Sequence, residues 1–212
     1  MSIFLQIKKR NCQEITSSQL DNGLLEIVVP ENCSNSDIEQ YLNSISSEFD
    51  VIEKKQKKAT EIFRKKVEQL IEKYKKHFNL NLQISLRIQT RTQKLNDCHV
   101  ELHGISFDAN MSLKKHLQFV SDDILEKIVK CTVYDLACKY ETLCSRINGI
   151  VVGASTFPDF EKVDTSYYNF PKSAKYVLTI PADELEKMKS DYYDAEKLLN
   201  DFLKKDPISS IK

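Results

Sequence analysis

Between residues 51 and 78 the chain carries one continuous helical pattern, and no other segment constrains the fold as strongly. Ala59, Ile62, Phe63, Val67, Leu70, Ile71, Tyr74 and Phe78 recur at spacings of three and four, which places them on one face of an α-helix. The opposite face is basic, with Lys54, Lys55, Lys57, Lys58, Arg64, Lys65, Lys66, Lys73, Lys75 and Lys76. Such a face is ordinarily solvated. It also has the chemistry of a phosphate-backbone contact surface, which keeps nucleic acid open as a partner.

The rest of the chain limits what that helix can belong to. Hydrophobic residues make up 41% of the 212, enough for a core, and a length of 212 fits one domain with an appendage or two small ones. Lysine plus arginine balance aspartate plus glutamate at 31 each, so bulk charge favours neither a nucleic acid nor a membrane surface. Only 4 Gly and 5 Pro favour helices over many tight turns. No apolar run approaches the roughly 20 residues that span a bilayer, and the apolar part of the N-terminus is too short for a signal peptide. The six cysteines form no CxxC pair. They predict reduced thiols, mostly small buried hydrophobes, in a cytoplasmic protein with no membrane partner.

Around the helix, the sequence predicts an opening antiparallel ribbon from 3–8 and 24–29, with Asn22-Gly23 as its turn and Pro30 as its stop. Ser36 and Glu39 predict a capping box at the start of the next helix. Leu82, Ile84, Leu86 and Ile88 alternate as a half-buried strand, and one or two more strands surround Gly104. Ser121-Asp122-Asp123 caps a helix over about 124–144. Beyond an irregular stretch, 176–180 predicts a strand and the segment after Pro181 a helix. On that helix Leu185, Met188, Tyr192, Leu199 and Phe202 form a heptad-like seam for their own domain or a partner helix.

The order of these pieces carries a resemblance. A ribbon ends in Val28-Val29-Pro30. The segment "SDIEQYL" and the long helix follow, then a strand with Arg87 and Arg91, then "MSLKKHLQFVSDDILEKIV" running into "KCTVYDLAC". This resembles the YgjP-like zinc metallopeptidases, relatives of the SprT-like and WLM-type gluzincins, over residues 20–145. In that family the last segment leads into His-Glu-x-x-His, with a third His six residues later. Laid without a gap, Leu113, Leu117, Ile128 and Val129 fall on the family's apolar positions. The first metal-binding His falls on Cys131, the catalytic Glu on Thr132, the second His on Asp135 and the third on Glu141. Arg87 and Arg91 match the family's Arg-x-x-x-Arg, while the Trp-Gly after it is absent. A register three residues later would put Tyr134 and Cys138 at the histidines and Asp135 at the glutamate, but it breaks the preceding fit.

The chemistry gives these replacements meaning. Two histidines at i and i+4 reach one Zn²⁺ from one helix face, and the glutamate takes a proton from the bound water. Thr132 has no carboxylate. The resemblance therefore implies an α+β fold: a small N-terminal β-ribbon, a long amphipathic helix, and a mixed or antiparallel sheet packed on a metallopeptidase-like helix, with an added C-terminal strand–helix. It implies a metallopeptidase-like domain over 1–149 and an extension over 150–212 packed on it. The expected function is a catalytically inactive, protein-binding or regulatory module with no cofactor. Zinc on Cys131, Asp135 and Glu141 in a remodelled enzyme is the alternative, as is nucleic-acid binding through 51–78. Arg87 and Arg91 are the candidate binding residues. His99 and His103 share i, i+4 spacing but lie in a predicted strand, where it spans ~13 Å.

Overall fold

The structure is a computed structural model that describes residues 3–78, 80, 82–89, 96–103, 106–147 and 208–211, with scattered positions between 190 and 204. The fold is α+β. The chain divides into two compact units: Met1–Val67 with Lys115–Glu126 and Tyr193–Lys212, and Glu68–Lys114 with Lys127–Tyr192.

The first unit is built on a four-stranded mixed sheet. Its strands are β1 (Ile3–Arg10), β2 (Thr16–Gln19), β3 (Leu25–Pro30) and, from the far end of the chain, β7 (Ile208–Ile211), in the order β2-β3-β1-β7. Here the expected ribbon is corrected. The antiparallel pair that turns at Asn22-Gly23 is β2 with β3, whereas β1 runs parallel to β3 with Leu5 opposite Leu25 and Val29 opposite Lys9. The turn is closed locally: the Gly23 amide donates to the Leu20 carbonyl, and the Leu24 amide donates to Asn22 Oδ1 at 3.1 Å. Gly23 has φ +85°, and a Cβ there would meet Ala59 Cβ at 3.2 Å and Gln56 Cα at 3.3 Å. Backbone conformation and close approach to a helix both demand glycine.

Two helices of this unit are α1 (Asn35–Ser44) and α2 (Phe49–His77), whose residues up to Val67 belong here. Ile38 and Ile52 from these helices join Ile3, Leu5, Leu25, Ile27 and Val29 in one buried cluster. Each such side chain contributes ~1.5–3 kcal/mol by leaving water. On α2 up to Val67 the buried positions are Ile52, Gln56, Phe63 and Val67, and Ile71 and Tyr74 are buried further on, but the expected face is not kept throughout: Ile62 is 62% exposed. Gln56, polar yet 1% exposed, completes the strand where an apolar residue could not. Its Nε2 donates to the Phe4 carbonyl at 2.7 Å, and its Oε1 accepts from the Phe4 amide at 2.9 Å. Phe4 packs with Leu24 and Phe119 in a second, smaller cluster.

The capping box lies two residues earlier than Ser36–Glu39. Ser34 is the N-cap: its hydroxyl accepts from the Asp37 amide, and the Asp37 carboxylate accepts from the Ser34 amide at 3.0 Å. The Ser34 hydroxyl also donates to Asp37 Oδ2 at 2.7 Å, and this bond first, with the Ser34 amide second, holds the Asp37 pKa below its ordinary value. The stabilisation is therefore present above the unfolded carboxylate range and is lost as pH falls through the lowered value. Ser34→Ala is expected to cost about 0.5–2 kcal/mol. The deficit of Asp37→Asn against the parent, followed by urea midpoints, should shrink as the buffer is taken to acid. A deficit independent of pH would deny the carboxylate its part.

The second unit has a three-stranded sheet, β4 (Gln83–Gln89), β5 (Asn96–His103) and β6 (Ser106–Lys114), in the order β4-β6-β5, with β4 parallel and β5 antiparallel to β6. Along β6, Phe107, Ala109, Met111 and Leu113 are buried and the residues between them are not, so one face is core. Helix α3 (Asp122–Ile147), from Lys127 onward, covers that face. Tyr140 meets Phe107 edge-on at 4.8 Å, and Tyr134 meets Phe78 at 5.8 Å. Lys139 Nζ donates to the Cys98 carbonyl at 2.7 Å. Among the described residues no helix is long and apolar enough to cross a membrane, and the five described cysteines form no disulfide. The predicted strand at 176–180 lies outside the described residues.

Candidate functional site

Helix α3 begins where its sequence provides for it. The Leu125 amide donates to the Ser121 carbonyl, and Asp122 and Asp123 place negative charge against the unsatisfied amides of the first turn. From there Ile128, Val129, Val133, Leu136 and Ala137 are completely buried.

Thr132 stands within this core at 2% exposure, in one row with Ile128 four residues before it and Leu136 four after. Its hydroxyl donates to the Ile128 carbonyl at 2.8 Å. That bond satisfies a buried O–H within its own helix and leaves nothing polar aimed outward. Cys131 is 9% exposed, while Asp135, one turn on, is exposed. The helix thus turns from interior to solvent between the two residues that share the i, i+4 spacing. Glu141 lies on α3, but its side chain is outside the described residues. In the later register, Tyr134 turns its ring to Phe78, and Leu136 and Ala137 between it and Cys138 are fully buried. Among the described residues no group of three His, Cys, Asp or Glu is arranged to hold a metal ion.

Arg87 is exposed on β4, opposite Ser112 of β6, which in turn stands opposite Asp97 of β5. This row lies on the face of the sheet away from Phe107 and Met111, so Arg87 and the α3 positions are not brought together. Arg91, Leu185, Met188, Tyr192, Leu199 and Phe202 lie outside the described residues.

Two features escaped the reading of the sequence. His99 lies on the outer face of β5 with Nε2 3.0 Å from Glu101 Oε1 and 3.2 Å from the side-chain nitrogen of Asn110 across the strand pair. The signal was the alternation of "HVELH", which puts His99 and Glu101 two residues apart on one face. The second is a recess of about 360 Å³ in the first unit, lined by Ser17, Ser18, Gln19, Leu25, Glu48, Val51, Ile52 and Lys55. Nothing in the polar run Thr16-Ser17-Ser18-Gln19 marks it as an edge strand.

No protein-family model, no curated protein and no solved structure matches this chain.

Proposed function

We propose that this chain is a protein-binding module of metallopeptidase-like descent that does not cleave peptides through α3. The observation that carries the reading is Thr132. Hydrolysis on a helix of this kind needs a carboxylate that can take a proton from a metal-bound water. At that position the chain has a hydroxyl, buried among Ile128, Val133 and Leu136 and bonded to its own helix. The different exposures of Cys131 and Asp135 add support, because two ligands of one ion must face one point. The descent rests on the order of elements, with β4 and β6 followed by α3, and on the burial of Leu113, Leu117, Ile128 and Val129.

Elemental analysis of the purified protein, run beside an assay on an unstructured protein substrate, tests this. The expected result is no cleavage, and metal well below one ion per chain. Stoichiometric zinc with cleavage, both lost in Cys131→Ala, would replace this reading with the remodelled enzyme. A Cys131→Ala variant that merely loses about 1 kcal/mol of stability fits a buried thiol packed as a small hydrophobe.

A further inference from the structure

The recess beside β2 goes beyond the reading of α3 and does not depend on it. β2 ends the first sheet, and among the described residues it pairs only with β3. Its four residues carry neither the lysine nor the proline that commonly guards a sheet edge. Ser17 and Gln19 stand opposite Ile27 and Leu25, on the side of the sheet where the helices pack. Together with Ser18 they frame a recess at whose floor lies the buried Leu25, 3% exposed. The other wall is the start of α2, with Val51, Ile52 and Lys55.

Val51 is 55% exposed, an aliphatic side chain beside an open edge. From it the outward stripe of α2 runs through Lys55, Lys58, Ile62 and Lys65 at spacings of four, three, four and three, all exposed. Lys54 is exposed beside them. The whole of α2 holds ten basic side chains against five acidic ones, in a chain with a formal net charge of +0. Positive charge is thus concentrated along α2, with Lys55 beside Glu48 in the recess and Lys54 and Lys58 flanking it.

We infer that the β2 edge and the first turns of α2 form a docking groove for an extended acidic peptide segment of a partner protein. The peptide adds to β2 as a fifth strand, its main chain pairing with Thr16–Gln19. Every second side chain then points to the helix side, where Val51 and Leu25 receive an aliphatic group and carboxylates two and four residues along the same face meet Lys54, Lys55 and Lys58. A volume of about 360 Å³ is at the small end for ligand pockets (~300–1,000 Å³) and suits one or two side chains. The same lysines attract a nucleic acid, but the stripe fits it less well. Unpaired bases stack on exposed aromatic rings. The outward apolar groups here are Val51 and Ile62, and Phe63 and Tyr74 are buried.

The test uses the full chain and a labelled synthetic peptide in which serine fills every second position and valine and glutamate take turns at the positions between, so that both face the recess, with fluorescence anisotropy as the readout. Binding is expected, weakening as salt is raised, with Lys55→Glu and Val51→Asp each reducing affinity about tenfold or more. Both positions are exposed, so unchanged melting of the variants shows that the fold survives. Amide exchange at Thr16–Gln19 should slow on binding. The counterpart peptide with lysine for glutamate should not bind. Absence of binding by the acidic peptide, or binding indifferent to both substitutions, overturns the proposal. Unchanged exchange at β2 does the same for strand addition. If oligothymidylate binds with Lys55 dependence while the peptide does not, the surface belongs to nucleic acid. None of these results alters the metal and cleavage measurements on α3.

Discussion

Gln56→Leu is expected to lower the free energy of unfolding by about 2–6 kcal/mol, more than removal of an ordinary hydrogen bond. The side chain is nearly conserved in volume, so the loss is polar. Gln56 meets both the amide and the carbonyl of Phe4, doing for β1 at that residue what a neighbouring strand would do. The parallel register with β3 begins only at Leu5. Without the glutamine, a buried N–H and a buried C=O lose their partners together, each at ~1–3 kcal/mol. Urea unfolding of the variant measures the total, and amide exchange at Phe4 should accelerate more than at Ile27. A variant within about 0.5 kcal/mol of the parent would mean that water reaches Phe4, and that the interior of the first unit is wetter than its burial indicates.

Gln56 also marks where the sequence could be read and where it could not. The long helix was legible because its apolar side chains keep one period from Ala59 to Phe78, about five turns, and α2 runs over nearly the span that the pattern predicts. The stripe, however, was defined by hydrophobicity. It therefore took in Ile62, which faces outward, and passed over Gln56, which faces inward because a backbone awaits it. The capping box shows a different limit. Ser34 to Asp37 and Ser36 to Glu39 both satisfy the same local rule. The choice falls to Ser34, with Ile38 four residues on, packed into the core of the first unit. Strand partnership was the least legible. β1 and β3 each alternate in a way that fits either direction of pairing, and the residues that decide it, Thr16–Gln19 and Ile208–Ile211, are too short and polar to show a pattern.

For the candidate site, spacing was legible and orientation was not. Cys131 and Asp135 are one turn apart in any helix, and the sequence could go no further. Whether both face one point depends on what packs beside each, and the structure has one buried and the other in solvent. Thr132 could be read as lacking a proton acceptor, but not as interior. Its burial turns an absent chemical group into a position with no solvent access for one.

Burial at that position predicts the outcome of putting the carboxylate back. Thr132→Glu is expected to yield no peptidase and to destabilise the chain by about 2–5 kcal/mol at neutral pH. The new side chain would enter a row held by Ile128 and Leu136, both fully buried, where a charge has no partner and a longer chain has no room. Desolvation would raise its folded-state pKa above the unfolded value of about 4.3. In the acid range, below that value, both states bind the proton and only the steric part of the cost remains. As pH rises the unfolded chain ionises first, so the deficit grows until pH passes the folded pKa and then levels off. Thr132→Val is the control. It keeps the shape, removes a hydroxyl that bonds only within its helix, and should fall within about 1 kcal/mol of the parent at every pH. Urea midpoints of both variants in acid and neutral buffer give the comparison. A Thr132→Glu chain as stable as its parent at neutral pH would show that solvent reaches the position. A working base could then stand there, and the proposed inactivity of α3 would be overturned.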